Sequence, residues 1–296
     1  MANSISTTDV TISTAIEVLQ SMLAPLGSFS KNFANEYAGR GTTVKVPIVK
    51  SSASARDYSA TGASAGYESN GDSDVNTVDI PVAEVVKSFS LSDNELYKSP
   101  VNLQNYIQAN ANAFGKFLLE KVKTTVETGA GTATATKSAT AFDLATVKSL
   151  VKALDSTGTS TTNRHLVLSS NAHNNLLPAT QDTFGQTQGV MQSGSLGKIY
   201  GMDVHQSSVL EQGATASKVT GFASANDGIV LVNRIPETQG RETLQAFESF
   251  TIPGLGLSVC YREHYNSATG TVWGNFTTLF GAKIGNADAI AWVKGA

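Results

Sequence analysis

The residues best suited to chemistry in this sequence are Ser64, four histidines, one cysteine and two glycine-rich turns. Gly62-Ala63-Ser64-Ala65-Gly66 has the G-x-S-x-G spacing of a nucleophile elbow. That spacing activates a serine only on a tight strand-to-helix turn. Here it sits in a Ser/Ala/Gly-rich stretch with no buried strand before it and no helix after it. His165, His173, His205 and His264 show neither H-x₃-H nor H-E-x-x-H spacing, so no two imidazoles fall on one helical face as a metal site would need. Surface or hydrogen-bonded histidines are the expectation.

The glycine-rich turns are no better placed. Gly194-Ser195-Leu196-Gly197-Lys198 puts a lysine after a glycine, but Ile199 follows where a phosphate loop needs Ser or Thr. Gly254-Leu255-Gly256 lacks the third glycine of a dinucleotide fingerprint and leads into a strand. Cys260 is the only cysteine, which excludes a disulfide within the chain. Its strand-like surroundings make it a small buried hydrophobe. Asn275-Phe276-Thr277 is a formal sequon without a secretion signal to give it meaning. No catalytic residue, cofactor site or metal site is expected.

Composition points the same way. Charged residues make up 15% of the chain, well under the roughly 25% usual in soluble domains. Ser, Thr, Asn, Gly and Ala fill the difference, a surface that loses little hydration when it meets another protein. The net charge of −3 excludes a strongly basic nucleic-acid footprint. Residues 1–15 carry no basic start followed by an apolar run, so the product is expected to stay in the cytoplasm of the cell that makes it. Ala15–Leu26 is too short to cross a membrane.

The elements follow from spacing. Residues 1–40 read as an N-terminal arm, with Ser13 or Thr14 capping a short helix that carries Ile16, Leu19, Met22 and Leu23 on one face. Thr43–Val49 alternates as a strand, and Pro47 confines it to an edge or a two-stranded ribbon. Its expected partner is Val78–Val86. Between them, Ser51–Asn76 has too few apolar residues to hold itself together. Ordering it would cost about 1–2 kcal/mol per residue in backbone entropy, so neighbouring subunits are expected to hold it.

A helix is expected over 99–128, capped by Ser99 with Pro100 in its first turn. Leu103, Tyr106, Ile107, Phe114, Phe117, Leu118, Val122 and Val126 form its apolar face. It would be a rod of roughly 40 Å. A mixed α/β section follows: a helix over Phe142–Leu154 with Leu144 inward, a strand over Arg164–Ser169, a helix over Asn171–Leu177, a loop over Thr180–Lys198, and strands over Lys198–His205 and Ile229–Asn233. Strands return over Leu244–Ile252, Leu257–Glu263, Thr271–Phe280 and Ala289–Val293.

Several stretches then stand out together. They are Arg164-His165-Leu166-Val167-Leu168-Ser169-Ser170-Asn171, Gly197-Lys198-Ile199-Tyr200-Gly201-Met202-Asp203-Val204, Phe222-Ala223 leading to Gly228–Arg234, and Gly281-Ala282-Lys283 with Ala289-Ile290. In this order, after a polar-tipped hairpin and a long helix, they resemble the major capsid proteins of tailed bacteriophages.

The resemblance, covering about 40–296, implies the Hong Kong 97-type fold, an α+β architecture. It divides the chain into an N-terminal arm (1–40), an extended β-hairpin loop (41–90), a peripheral domain (91–135 and 236–296) with spine helix 99–128, and an α/β axial domain (136–235). It implies a non-enzymatic subunit that assembles as pentamers and hexamers into an icosahedral virion shell in the host cytoplasm. The partners would be copies of itself, separate scaffolding and portal proteins, and double-stranded DNA by weak contact, with no membrane and no cofactor. Only about 40 residues precede the hairpin, so scaffolding would be a separate protein, or the chain a processed form; Met1 favours the unprocessed reading. Lys45, Lys50, Arg56, Asp57, Tyr67 and Glu68 are the expected inter-subunit contacts. Some relatives join a lysine to a neighbour's asparagine; Lys45 and Lys50 flank the hairpin here, but no unambiguous Asn and Glu partners accompany them. The competing readings are an encapsulin-type compartment, an α/β enzyme without a recognisable motif, and a tail or adhesion protein.

Overall fold

The computed structural model describes residues 7–50, 74–92, 95, 103–177, 196–210, 219–225, 227–238 and 244–296. The sequence signal of the long helix is realised as α2, Leu103–Gly129. Ile107, Ala111, Phe114, Leu118, Val122 and Val126 fall three or four residues apart and are buried along one stripe. Phe117, expected on that stripe, lies off its flank and is exposed, with the Lys121 ammonium 5.2 Å above its ring. The proposed cap at Ser99 and Pro100 lies outside the described residues.

Against α2 packs α1, Thr7–Met22. It starts before Ser13 and Thr14, which lie within the helix rather than at its cap, and Thr14 is buried. Burial of Thr11, Thr14, Ala15 and Leu19 offsets the modest helix propensity of its β-branched residues. The crossing is close at Gly115, where a Cβ would come within 2.7 Å of Met22 Sδ. After a 3-10 turn at Ala24–Ser28, the chain enters strand β1, Ser30–Ala38. Ala15, Leu19, Leu23, Leu26 and Phe29 of this stretch are buried in the core.

Two sheets and a ribbon hold the remaining strands. The ribbon pairs β2, Thr43–Lys50, with β3, Asp74–Pro81. Residues beyond Pro81, expected in the same strand, instead begin β4, Ala83–Ser92, which joins the first sheet. That sheet has the order β1-β10-β13-β12-β11, with β4 also paired to β13. Its other members are β10 (Ile229–Pro236), β11 (Ala246–Thr251), β12 (Ser258–Asn266) and β13 (Thr271–Ile284).

The second sheet has the order β5-β14-β9-β6-β8-β7. It comprises β5 (Ala135–Thr136), β6 (Arg164–Ser169), β7 (Lys198–Ile199), β8 (Met202–Ser207), β9 (Val219–Ala225) and β14 (Ile290–Lys294). Lys198–His205 is thus a hairpin, not one strand, turning at Tyr200 and Gly201 with positive φ. By sheet membership, two strands cross between the sections expected on either side of 235/236. β10, grouped by sequence with the α/β section, lies in the first sheet between β1 and β13. β14, grouped with the returning strands, lies in the second between β5 and β9.

The inner strands of the second sheet, β6 and β9, are buried on both faces. In β6, Leu166 and Leu168 face helix α3 (Leu144–Ser156) and helix α4 (Ser170–Leu176), sharing a cluster with Val147, Leu150, Leu154 and Ala172. Val167 faces the other way into a larger cluster fed by α1, α2 and both sheets. Alternation in a strand makes this division. Leu144, expected inward, is the first residue of α3 and is exposed. Asp143 caps that helix, accepting from Thr146 N–H at 2.8 Å and from the Thr146 hydroxyl at 2.7 Å. Those two bonds hold its carboxyl below the usual carboxylate range.

Candidate assembly surface

The ribbon stands on the first sheet by one row of its side chains. Val46, Ile48 and Ile80 alternate onto the face carrying Val230, Val232 and Leu279, and all six are buried there with Val82. Two glycines of the first sheet let the ribbon root approach. A Cβ on Gly281 would meet Pro81 O at 2.7 Å and Ile80 Cγ2 at 2.8 Å; one on Gly285 would meet Ile48 Cδ1 at 2.6 Å. The Lys283 ammonium donates to Asp79 O at 3.1 Å, and Val82 N–H donates to Thr42 O at 3.0 Å. Beside the root, Glu84 pairs with Arg40 and lies 3.8 Å from the Arg262 guanidinium.

The opposite row, Thr43, Lys45, Pro47, Thr77, Asp79 and Pro81, is exposed. Lys45 stands across from Asp79 in register. Lys50 is the last residue of β2, across from Asp74. The structure thus puts Lys45 on the free face of a rooted ribbon. Arg56, Asp57, Tyr67, Glu68 and the Gly62–Gly66 stretch lie outside the described residues, as does most of the Thr180–Lys198 loop.

At one end of the second sheet, a hydroxyl-rich loop at 156–163 is fastened from below. Arg164, 4% exposed, donates to Asp155 Oδ1 at 2.6 Å, Thr159 O at 2.6 Å and Ser160 O at 2.8 Å. The Thr157 and Thr159 hydroxyls both reach Asp288 O. The loop is therefore a fixed, nearly uncharged surface.

The sequence did not show one grouping. His165 on β6 and His205 on β8 face each other across paired strands, with ring centroids 5.7 Å apart. His205 Nε2 lies 2.8 Å from the Ser28 hydroxyl, and Asp203 is in register with His165. Burial holds both imidazoles below the usual histidine value, with Asp203 acting in the opposite direction. Forty residues separate the two, so only the strand register could have revealed the pair. His173 is buried with no partner for Nδ1 among the described residues, and burial lowers it as well, against an opposing hydrogen bond with Asn174. Tyr261 donates to Glu263 Oε2 at 2.8 Å, and burial first, then Glu263, push its phenol upward.

Among the described residues no group of three or more His, Cys, Asp and Glu could hold a metal ion, and no helix is long and apolar enough to cross a membrane. A groove of about 530 Å³ between α1, α2 and β8 is lined mainly by Ser21, Gln108, Asn112, Gln206 and Ser207, with Glu17 the one titratable group among the described residues lining it.

No family model and no curated protein matches the sequence. Solved structures do match. The chain is similar to the capsid structure of the cyanophage P-SCSP1u, with a TM-score of 0.55 and 14% identity, over 91% of this chain and 86% of that one. It is similar to the virus-like particle from Pyrococcus furiosus, with a TM-score of 0.56 and 13% identity, over 95% and 96% of the two chains. It is also similar to the mature capsid of bacteriophage PhiM1, with a TM-score of 0.54 and 11% identity, over 91% and 86%. At such identities the likeness is one of fold. The fold is the Hong Kong 97-type α+β architecture of capsid subunits that the sequence resembles.

Proposed function

We propose that this chain is a major capsid protein that self-assembles into the icosahedral head of a tailed bacteriophage and encloses its DNA. The observation that carries this reading is a shell-subunit fold shared over nine-tenths of the chain or more with capsids and a virus-like particle. In this reading the first sheet with α2 is the peripheral domain, the second sheet with α3 and α4 is the axial domain, and the ribbon is the base of the extended loop. Lys45, Lys50, Arg56, Asp57, Tyr67 and Glu68 are its contacts with an adjacent subunit. The protein works as structure and carries out no chemistry.

The ribbon root supports the reading physically. A projecting loop can carry force between subunits only if its base is fixed, and the base here is buried and bonded. Each contact between copies is individually weak, and repetition over a closed shell makes the whole stable. Low surface charge suits this, because little hydration is lost per contact. With a net charge of −3, packaged DNA would be met without a strong grip. Scaffolding and portal proteins are assigned as separate partners, and assembly to the host cytoplasm.

Negative-stain microscopy of the purified chain tests the reading: closed icosahedral particles are expected, and rings, fibres or a persistent monomer would sink it. Deleting Gly62–Asp72 should leave the core folded and stop closed shells from forming. The likeness to a virus-like particle keeps an encapsulin-type compartment as the second reading. Particles that hold cargo protein instead of DNA would decide for it.

A further inference from the structure

We propose that the His165–His205 pair is an acid-operated release on the contact between the 3-10 turn Ala24–Ser28 and the second sheet. This goes beyond the shell reading and does not depend on it. The turn joins α1, packed on α2, to β1 in the first sheet. Ser28 is buried, and its hydroxyl bonds His205 across 177 positions of sequence. Next to it, Phe29 stacks on Phe222 of β9 at 6.0 Å. This is a junction where the N-terminal elements meet the second sheet, and two half-buried imidazoles lie within it.

The surrounding charges set the direction. Asp203 on β8 favours protonated rings. Lys198 on β7 opposes a proton on His165, and His165 opposes one on His205. Lys198 and Asp203 pair with each other at 3.3 Å, which blunts both. The turn Ala-Pro-Leu-Gly-Ser brings no titratable group. Arg164, beside His165 in β6, directs its guanidinium to Asp155, Thr159 and Ser160. A proton placed here lacks full hydration and faces a second ring 5.7 Å away. Lifting the turn admits water and restores an ordinary imidazole.

The sign follows from linkage. Both rings titrate below the unfolded value of about 6.5 while the junction is closed, so the open form binds more protons as pH falls past that value. Opening should grow by up to about tenfold per imidazole for each pH unit below it. Hydrogen exchange on the full chain, corrected for the intrinsic pH dependence, reads this directly. Protection of amides 24–30 should fall between pH 7.5 and 5, and the double variant H165Q/H205Q should hold it. Unchanged protection in the unsubstituted chain, or the same fall in the double variant, overturns the proposal. Imidazole NMR of the unsubstituted chain needs no variant: two rings titrating at the ordinary value overturn it, and two depressed, mutually coupled titrations support it. D203N removes the compensating carboxylate and should enlarge the loss of protection at pH 5; no enlargement counts against the proposal.

Discussion

The side chain of Asn233 and the backbone of Ser258 pair reciprocally. Asn233 Oδ1 accepts from Ser258 N–H at 2.8 Å, and Asn233 Nδ2 donates to Ser258 O at 3.0 Å. β10 and β12 both lie along β13, and this amide bridges the point where one gives way to the other. Nδ2 also donates to Thr278 Oγ1. The whole group is buried.

Replacing Asn233 with Ala leaves the Ser258 N–H and C=O buried without this partner. Urea unfolding should show a loss of about 2–4 kcal/mol. N233D should cost more at neutral pH, because an acceptor then faces Ser258 O and the carboxylate is buried. Its deficit should shrink as pH falls, since a protonated acid can donate again. A pH-independent deficit in N233D would contradict this account of the pairing.

Valine at Gly281 would drive a side chain into Pro81 O and Ile80 Cγ2, of which the first is backbone and cannot step aside. We expect a stability loss of about 1–3 kcal/mol from overpacking. We also expect a displaced ribbon, seen as faster proteolysis near Pro81. Shells of normal size and yield from G281V would show that the ribbon angle does not govern assembly.

Arg164 fastens a loop that has little apolar surface of its own. R164M should cost about 2–4 kcal/mol in denaturant unfolding and raise exchange selectively at amides 156–163. R164K should recover only part, because an ammonium cannot reproduce a fork reaching three acceptors. Equal behaviour of R164K and the unsubstituted chain would remove the guanidinium geometry from the explanation.

Acid should destabilise the fold before carboxylates matter. His165, His173 and His205 are all held below the usual histidine value, burial being the largest cause in each. Groups depressed in the folded state stay neutral there while the unfolded chain takes up protons, so stability is lost as pH drops through about 6.5. Denaturant midpoints between pH 7.5 and 5 should decline, and H173F should flatten part of the slope. A midpoint that is level over this range would refute the assignment.

Elements with a strong period were legible in the sequence. α2 announces itself through Ile107, Phe114, Leu118 and Val122, and the ribbon through Val44, Val46 and Ile48 opposite Val78 and Ile80. β1 was hidden because Ser30–Ala38 offers only Phe33 and Tyr37 as large apolar residues; its place comes from parallel pairing with β10. β9, Val-Thr-Gly-Phe-Ala-Ser-Ala, is buried throughout, and small residues buried on both faces leave no alternation to read. Phe117 and Leu144 fit a helical stripe by spacing yet face solvent, because the width of a stripe is set by what packs on it. The His165–His205 pair and the Asn233–Ser258 bridge both depend on strand register, which single-strand patterns do not encode.

Strand β14 lies between β5 and β9, so β5 pairs with the rest of the second sheet through residues 290–294. The strand that closes this sheet is thus translated after every other strand in it. A nascent or truncated chain lacking it presents β9 with an open edge in place of a finished surface.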